Sequence, residues 1–291
     1  MKKALLIAAL VTIAASLKAG KIFRQTLNIV QTSVPETEAI AQGNMEFVYD
    51  YRYCVDTTAS LDDNYESDNM LLQIGPDGFS KFSSYKNIAI DSLIMRSSQE
   101  QITRAAIDGK LSNGEFMTIY KNYPAGRLTH TEKICQDWFS YDEDMPRMDW
   151  TLTDSISTVL GYKCRSAQCK FRGRVWSVFY AEEIPLPDGP WKLHGLPGLI
   201  LKAWDENRHY TFECIGINSK ANRPITIYQV PFNRTDRKKY YDTKHRYEVN
   251  PYAYFEATTG GSITVTDQAG NPLVHKPVEL SFDYLETDWR K

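Results

Sequence analysis

The sequence predicts a mainly β protein, built as a curved antiparallel sheet or half-barrel with one or two short helices. Apolar and aromatic residues recur at every second position more often than at every third or fourth, which is the period of a half-buried strand. The runs are short, and the segments between them are rich in Gly, Asp, Asn and Arg. Strands joined by short turns must lie antiparallel, because a parallel neighbour needs a long crossover.

Met45, Phe47, Tyr49, Tyr51 and Tyr53 alternate with polar or smaller residues and predict the first strand. Leu71 to Ile74 and Phe79 to Phe82 flank Gly75-Pro76-Asp77-Gly78, the pattern of a hairpin. Phe116 to Tyr120, Arg127 to Ile134 and Trp150 to Leu152 predict further strands. A second hairpin turns at Arg172-Gly173 between Tyr162–Phe171 and Arg174–Tyr180. A third turns at Asp205 to Arg208, between Leu199–Trp204 and Tyr210–Ile217. Ile225 to Phe232 and Val278 to Tyr284 complete the strands, and 31–43 and 56–68 read as irregular. One helix is expected after Ser98, which forms a capping-box pattern with Gln101, and it stops at Gly109. Thr235 is positioned to cap a second, from Asp236 to about Arg246, that ends before Pro251.

Residues 1–19 read as a signal peptide, with Lys2 and Lys3 before an uncharged apolar run and a small residue, Ala19, at its exit. That run is shorter than the ~20 residues a membrane-spanning helix needs, and no later segment reaches that length. Residues 20–291 are then expected to form a single domain that is periplasmic or secreted, without a transmembrane segment. The first cysteine is Cys54, too far along to carry a lipid anchor at the mature N-terminus. Loss of Lys2, Lys3 and Lys18 deepens the small excess of 36 acidic over 34 basic residues. With no basic stripe, nucleic acid is not an expected partner. Export permits disulfides. The five cysteines (Cys54, Cys135, Cys164, Cys169, Cys214) leave the pairing open, except that Cys164 and Cys169 cannot bridge along one continuous strand.

The most unusual stretch is Ile184 to Leu201, IPLPDGPWKLHGLPGLIL. Four prolines restrict it and three glycines let it turn, so it reads as a long connection with few conformers. Trp191, Leu193, Leu196 and Leu199 give it an apolar surface that must be buried. Gly195-Leu196-Pro197-Gly198-Leu199-Ile200 is the hexapeptide for which the GLPGLI family is named, and the chain resembles that family. Gly161-Tyr162-Lys163-Cys164, Phe171-Arg172-Gly173-Arg174, Ile184-Pro185, Gly189-Pro190-Trp191-Lys192 and Pro277-Val278-Glu279-Leu280 follow in the same order. Cys169 departs from the pattern. The resemblance implies an exported protein of outer-membrane-bearing bacteria and supplies no activity.

Two readings of 184–201 follow: a rigid plug whose Trp191 and Leu196 are core residues, or a preformed platform for a client. On the second reading the candidate binding residues are Trp191, His194, Leu196, Arg172 and Arg174, with the two arginines able to clamp an anion. Glu182 and Glu183 point opposite ways on an extended segment and read as surface charges. The basic helix around Lys238 and Arg246 reads as an ordinary packed helix. Neither a zinc helix, a nucleophile elbow nor a phosphate-binding loop occurs, and the five histidines are scattered. No catalytic residue, metal site or cofactor is expected. The function expected is a non-catalytic binding or accessory protein whose partner is an envelope protein, a lipid or an apolar small molecule. The alternatives are an envelope hydrolase assembled around His194, and a structural partner of an outer-membrane complex.

Overall fold

The computed structural model describes residues 11–18, 21–29, 33–61, 64–108, 111, 113–262 and 276–290. Most of the expected leader, residues 1–10 and 19, lies outside them. β1 (Val11–Lys18) and β2 (Lys21–Ile29) pair as an antiparallel hairpin of their own. β3 (Thr37–Gly43) is followed by a meander of β4 (Met45–Cys54), β5 (Tyr65–Ile74) and β6 (Ser80–Ser84). Helices α1 (Tyr85–Arg96) and α2 (Gln99–Ile107) intervene before β7 (Thr118–Lys121), β8 (Arg127–Ile134) and β9 (Asp137–Asp144). A second meander runs through β10 (Thr151–Val159), β11 (Tyr162–Phe171), β12 (Arg174–Ala181), β13 (Leu199–Asp205) and β14 (Tyr210–Asn218). β15 (Arg223–Tyr228), β16 (Phe232–Arg234), α3 (Arg237–Val249) and α4 (Pro251–Thr259) end the regular structure, apart from a single 3-10 turn at Asp288–Arg290.

Among the described residues, twelve strands form one sheet in the order β10-β11-β12-β13-β14-β4-β5-β6-β7-β8-β9-β16. Every pairing in it is antiparallel except β16 with β9. The chain thus finishes one meander at β9 and begins the next at β10, near the opposite edge. Ten strand spacings would separate those strands by about 48 Å in a flat sheet. Residues 145–150 can span only about 25 Å. The sheet must therefore curl toward itself, which it does without closing into a barrel, as a curved sheet with short helices should.

The alternation read from the sequence holds on β4, where Phe47, Tyr49 and Tyr51 face the core. The capping box at α2 is present in both directions: the Ser98 amide donates to Gln101 Oε1 at 2.9 Å, and the Gln101 amide to Ser98 Oγ at 3.3 Å. The turn at Arg172 and Gly173 has positive φ at both residues, +54° and +83°, as a type I′ hairpin requires. Several details differ from expectation: α1 and β9 were not read, residues 65–68 belong to β5, and Asp236 caps α3 in place of Thr235, its side chain accepting from the Lys239 amide. Residues 37–43 form β3, a strand paired with β15 outside the main sheet. Pro251 opens α4 at its first turn instead of only ending α3, since a helix start has no use for the missing N–H. Residues 278–284 form an irregular strap, not a strand, because their backbone and side chains are engaged by arginines and loops described below.

The interior of the curve is filled by the 184–198 connection. Trp191 and Leu193 are fully buried and Leu196 nearly so. Main-chain hydrogen bonds close the connection on itself: Gly195 N to Pro187 O at 3.0 Å, Leu199 N to Ile184 O at 2.9 Å and Ile200 N to Asp188 O at 3.0 Å. The sheet holds it from outside, with Tyr49 Oη donating to Ile200 O at 2.8 Å and Lys121 Nζ to Gly189 O at 2.6 Å. Trp191 has φ +53°, which costs a non-glycine residue ~1–2 kcal/mol. Burial of its indole between Trp176 and Phe171, both at 5.5 Å, offsets that, at ~1.5–3 kcal/mol per large apolar side chain.

Among the described residues, no helix is long and apolar enough to cross a membrane. All five cysteines are free thiols, and Cys164 and Cys169 are both buried on β11.

A Cβ placed on Gly198 would lie 2.2 Å from the main-chain oxygen of Ala181, whereas one on Gly126 meets nothing within 4 Å. Gly198→Ala is therefore expected to destabilise the protein by about 3 kcal/mol or more through forced backbone movement. Gly126→Ala carries only its φ of +75° and should cost ~1 kcal/mol. Urea-unfolding midpoints of the two variants check this order.

Candidate functional site

The plug carries one charged side chain into the interior. Lys192 is fully buried, and its Nζ meets three oxygens. It donates to Tyr141 Oη at 3.0 Å and Glu143 Oε1 at 2.7 Å. It also lies 2.7 Å from Glu286 Oε1, an ion pair that falls outside hydrogen-bonding direction. An ammonium has three N–H groups and no acceptor; Tyr141 and Glu143 take two of them, and Glu286 adds its charge. Glu286 is itself fully buried and also pairs with Arg172 at 3.4 Å and Arg237 at 2.6 Å. Burial alone would raise its pKa, but Lys192, Arg172 and Arg237 overcome that and hold it down at about 2.

The same cluster ties down the C-terminal strap. Arg174 Nε donates to Leu285 O at 3.0 Å and its guanidinium to Tyr284 O. It pairs with Asp205 at 2.8 Å and Asp283 at 2.9 Å. Thr287 N bonds Arg172 O at 3.0 Å across the hairpin turn. Arg172 and Arg174 thus clamp carboxylates, as their type and spacing allow, but the carboxylates belong to their own chain.

From Lys192 a hydrogen-bond path runs outward through two neighbouring strands. Tyr141 on β9 is the direct cross-strand partner of His130 on β8, and the rings stack at 4.7 Å. Glu132, two residues on, shares the His130 face of its strand. The direction of the bonds follows from Glu132, which as a carboxylate can only accept. The neutral ring therefore carries its proton on Nε2, 3.3 Å from Glu132 Oε2. Nδ1 then accepts from Tyr141 Oη at 3.1 Å, while Tyr141 Oη accepts from Lys192. Burial lowers the His130 pKa and keeps the ring neutral, with the Glu132 hydrogen bond and charge acting in the opposite sense. Glu132 also accepts from Tyr240 Oη and, at 2.7 Å, from Lys244 Nζ. Burial would raise its pKa. The Lys244 charge and the His130 bond carry it well below the usual carboxylate range.

Beyond this network opens a cleft between the sheet, α3 and the strap. Its cavity volume is about 60 Å³, within a concavity that opens to solvent. β4 contributes Tyr51 and Tyr53, β14 Tyr210, the strap Phe282, Tyr284 and Leu285, and Met117 precedes β7. Tyr240, Tyr241, Lys244 and Glu248 line it from one face of α3, at the i, i+4 spacing of a helix. His130 and Glu132 form its base and Glu115 stands at its rim of the sheet.

The predicted site residues divide. Trp191 and Leu196 are core, Arg172 and Arg174 belong to the ion network, and none of them lines the cleft. His194 is half-buried, and its Nδ1 donates to Lys192 O at 2.9 Å. Its pKa is lowered, first by burial, and its ring is hydrogen-bonded to the main chain at Lys192 and Pro146. The cleft residues escaped the sequence reading because they come from distant segments. The signal available was the alternation His130-x-Glu132 and Tyr141-x-Glu143, two polar pairs that extend in opposite directions from the cross-strand pair His130–Tyr141. Among the described residues no group of three or more His, Cys, Asp or Glu is placed to hold a metal ion.

No family model matches the chain, and no curated protein does. Among solved structures it is similar to PNGF-II, in a P21 and in a C2 crystal form. The identities are 13% and 15%, each with a TM-score of 0.44 over 69% of this chain. The chain spans 32% of the length of that protein.

Lys192→Met keeps the stem and removes the charge, leaving Glu143 and Glu286 with only their arginines. A loss of about 3 kcal/mol is expected, since a buried pair is being broken. Adding Glu286→Gln should recover part of it. Glu286 also sets an acid dependence. Its folded value of about 2 lies below the ordinary 4.5, so its stabilisation is complete above pH 4.5 and is lost as pH falls toward 2. Urea unfolding of wild type and Glu286→Gln from pH 6 to pH 2 should show the difference between them shrinking through that window.

Proposed function

We propose that the protein is a non-catalytic binding protein of the bacterial envelope, and that an apolar small molecule is its client. The observation that carries the reading is a concave cleft walled by six tyrosines. Ligand sites are concave, mostly apolar, and fixed by a few polar groups, and this cleft has that form. His130 is the group that would serve a hydrolase, but both its nitrogens are engaged, one by Tyr141 and one by Glu132. A general base needs a free lone pair within reach of its substrate. The export signal and the resemblance to the GLPGLI family support the envelope as its place. The 184–201 connection acts in this reading from behind: its Lys192 fixes Tyr141, and Tyr141 fixes the His130 base of the cleft.

The neutral fluorophore N-phenyl-1-naphthylamine tests the cleft. Its emission is expected to rise on binding the protein. Met117→Trp, which fills the apolar wall, should weaken that binding about tenfold or more, since the added bulk has no room beside a side chain only 7% exposed. Leu152→Ser, at an exposed position on the outer strand β10, should leave it unchanged. Equal affinity of Met117→Trp and wild type would place the probe elsewhere and defeat the reading.

A further inference from the structure

We infer that the protein carries a second site, on the outer face of the sheet, that holds a small zwitterion: a free α-amino acid of the size of glycine or alanine. The site is separate from the cleft and does not depend on the binding reading above. Side chains on β6 alternate between the two faces of the sheet. Phe82 enters the core, so Lys81 and Ser83 point together to the other side. There α1 supplies Asn87 and Asp91, β9 supplies Trp138 and β15 supplies Tyr228, and a pocket lies among them. Its cavity volume is about 30 Å³, room for roughly two water-sized groups beneath an open mouth.

Of the residues that line this pocket only Lys81 and Asp91 carry charge, one of each sign. Lys81 is 7% exposed, and its ammonium donates to a neutral acceptor, the main-chain oxygen of Thr226, at 2.8 Å. An ammonium has three N–H groups, and Thr226 takes one of them. Asp91 accepts from Tyr228 Oη at 2.5 Å, through Oδ2. Burial is the main influence on both charges, lowering Lys81 to about 8 and raising Asp91, while each charge favours the ionised form of the other. Lys81 therefore keeps its proton at neutral pH. The third feature is Ser83 on the Lys81 face. Its Oγ is buried, with the residue 6% exposed, and has no hydrogen-bond partner within the protein. A hydroxyl left in that state costs stability, and a polar ligand would satisfy it. An α-amino acid answers all three features. Its carboxylate accepts from Lys81 and Ser83, and its ammonium donates to Asp91. A simple anion would meet Asp91 and a simple cation would meet Lys81, with little water between to screen them.

Equilibrium dialysis of the full chain against radiolabelled glycine tests the site, with unlabelled compounds as competitors. Propionate replaces the ammonium of glycine by a methyl group, and glycinamide replaces its carboxylate by an amide. Glycine is expected to bind with a dissociation constant of roughly a millimolar and to compete about tenfold better than either. Valine, whose branched side chain exceeds the cavity, should compete about tenfold worse than glycine. Lys81→Met keeps the stem and should weaken glycine about tenfold or more, and Asp91→Asn about threefold or more. Ser83→Ala separates a binding role from a structural one. It should weaken glycine about threefold or more while the urea midpoint stays level or rises, because no internal hydrogen bond is lost. Should Lys81→Met fail to fold, Ser83→Ala and Asp91→Asn carry the test. No retained glycine, or equal binding by these variants and wild type, would overturn the site. Equal competition by propionate would make it an anion site and equal competition by glycinamide a cation site, and either result contradicts the zwitterion. The fluorophore assay reads the cleft alone, so the failure of one proposal leaves the other standing.

Discussion

One ammonium group organises this molecule from the inside. Lys192 sits at the tip of a connection stiffened by proline, inside a sheet that curls around it, and reaches carboxylates from two separate parts of the chain. Glu143 brings β9 and Glu286 brings the C-terminal strap, while Tyr141 passes the order outward to His130. A buried charge is costly unless it is fully paired. The fold meets that requirement only when the plug, the second meander, β9 and the strap are all in place. The ion cluster therefore acts less as an isolated source of stability than as a condition on assembly, and the cleft is the surface that this condition leaves exposed.

The direction of the hydrogen bonds gives the cleft its chemical character. Because the Glu132 carboxylate can only accept, His130 presents its Nε2 proton to it, and Tyr141 donates to the remaining nitrogen while accepting from Lys192. A neutral imidazole fixed in one tautomer between a tyrosine and a carboxylate resembles part of a catalytic relay, but it is closed at both ends. What lines the cleft is mostly aromatic surface. Rigid tyrosines set on strands and on one helix face suit recognition, since they offer contact area with little entropy to lose.

Much of the sheet was legible in the sequence and little of the cleft. Alternation at Phe47, Tyr49 and Tyr51, and the turn at Arg172-Gly173, are local signals that the tertiary structure had no reason to override. β9 was missed because Asp137 to Asp144 carries four acids, and the partners of its inward Glu143, Arg172 and Lys192, lie 29 or more residues away. The strap 278–284 has the composition of a strand, but its carbonyls go to Arg174 and Thr57 instead of a ladder. The stiffness and burial of 184–201 were readable from its prolines and leucines. Its use was not, because the deciding residue is Lys192, a lysine that composition assigns to solvent. His130 and Glu132 looked scattered for the same reason, since their meaning depends on pairing with β9.

The account makes the cleft the recognition surface and the 184–201 connection its internal support. Methyl-selective NMR separates the two, with N-phenyl-1-naphthylamine added to protein labelled at methionine and leucine methyls. The account predicts saturable shifts at Met117 and Leu285, which line the cleft, with Leu193 and Leu196 of the connection almost unmoved. Shifts centred on Leu193 and Leu196 with Met117 silent would contradict it and return the binding role to the connection itself.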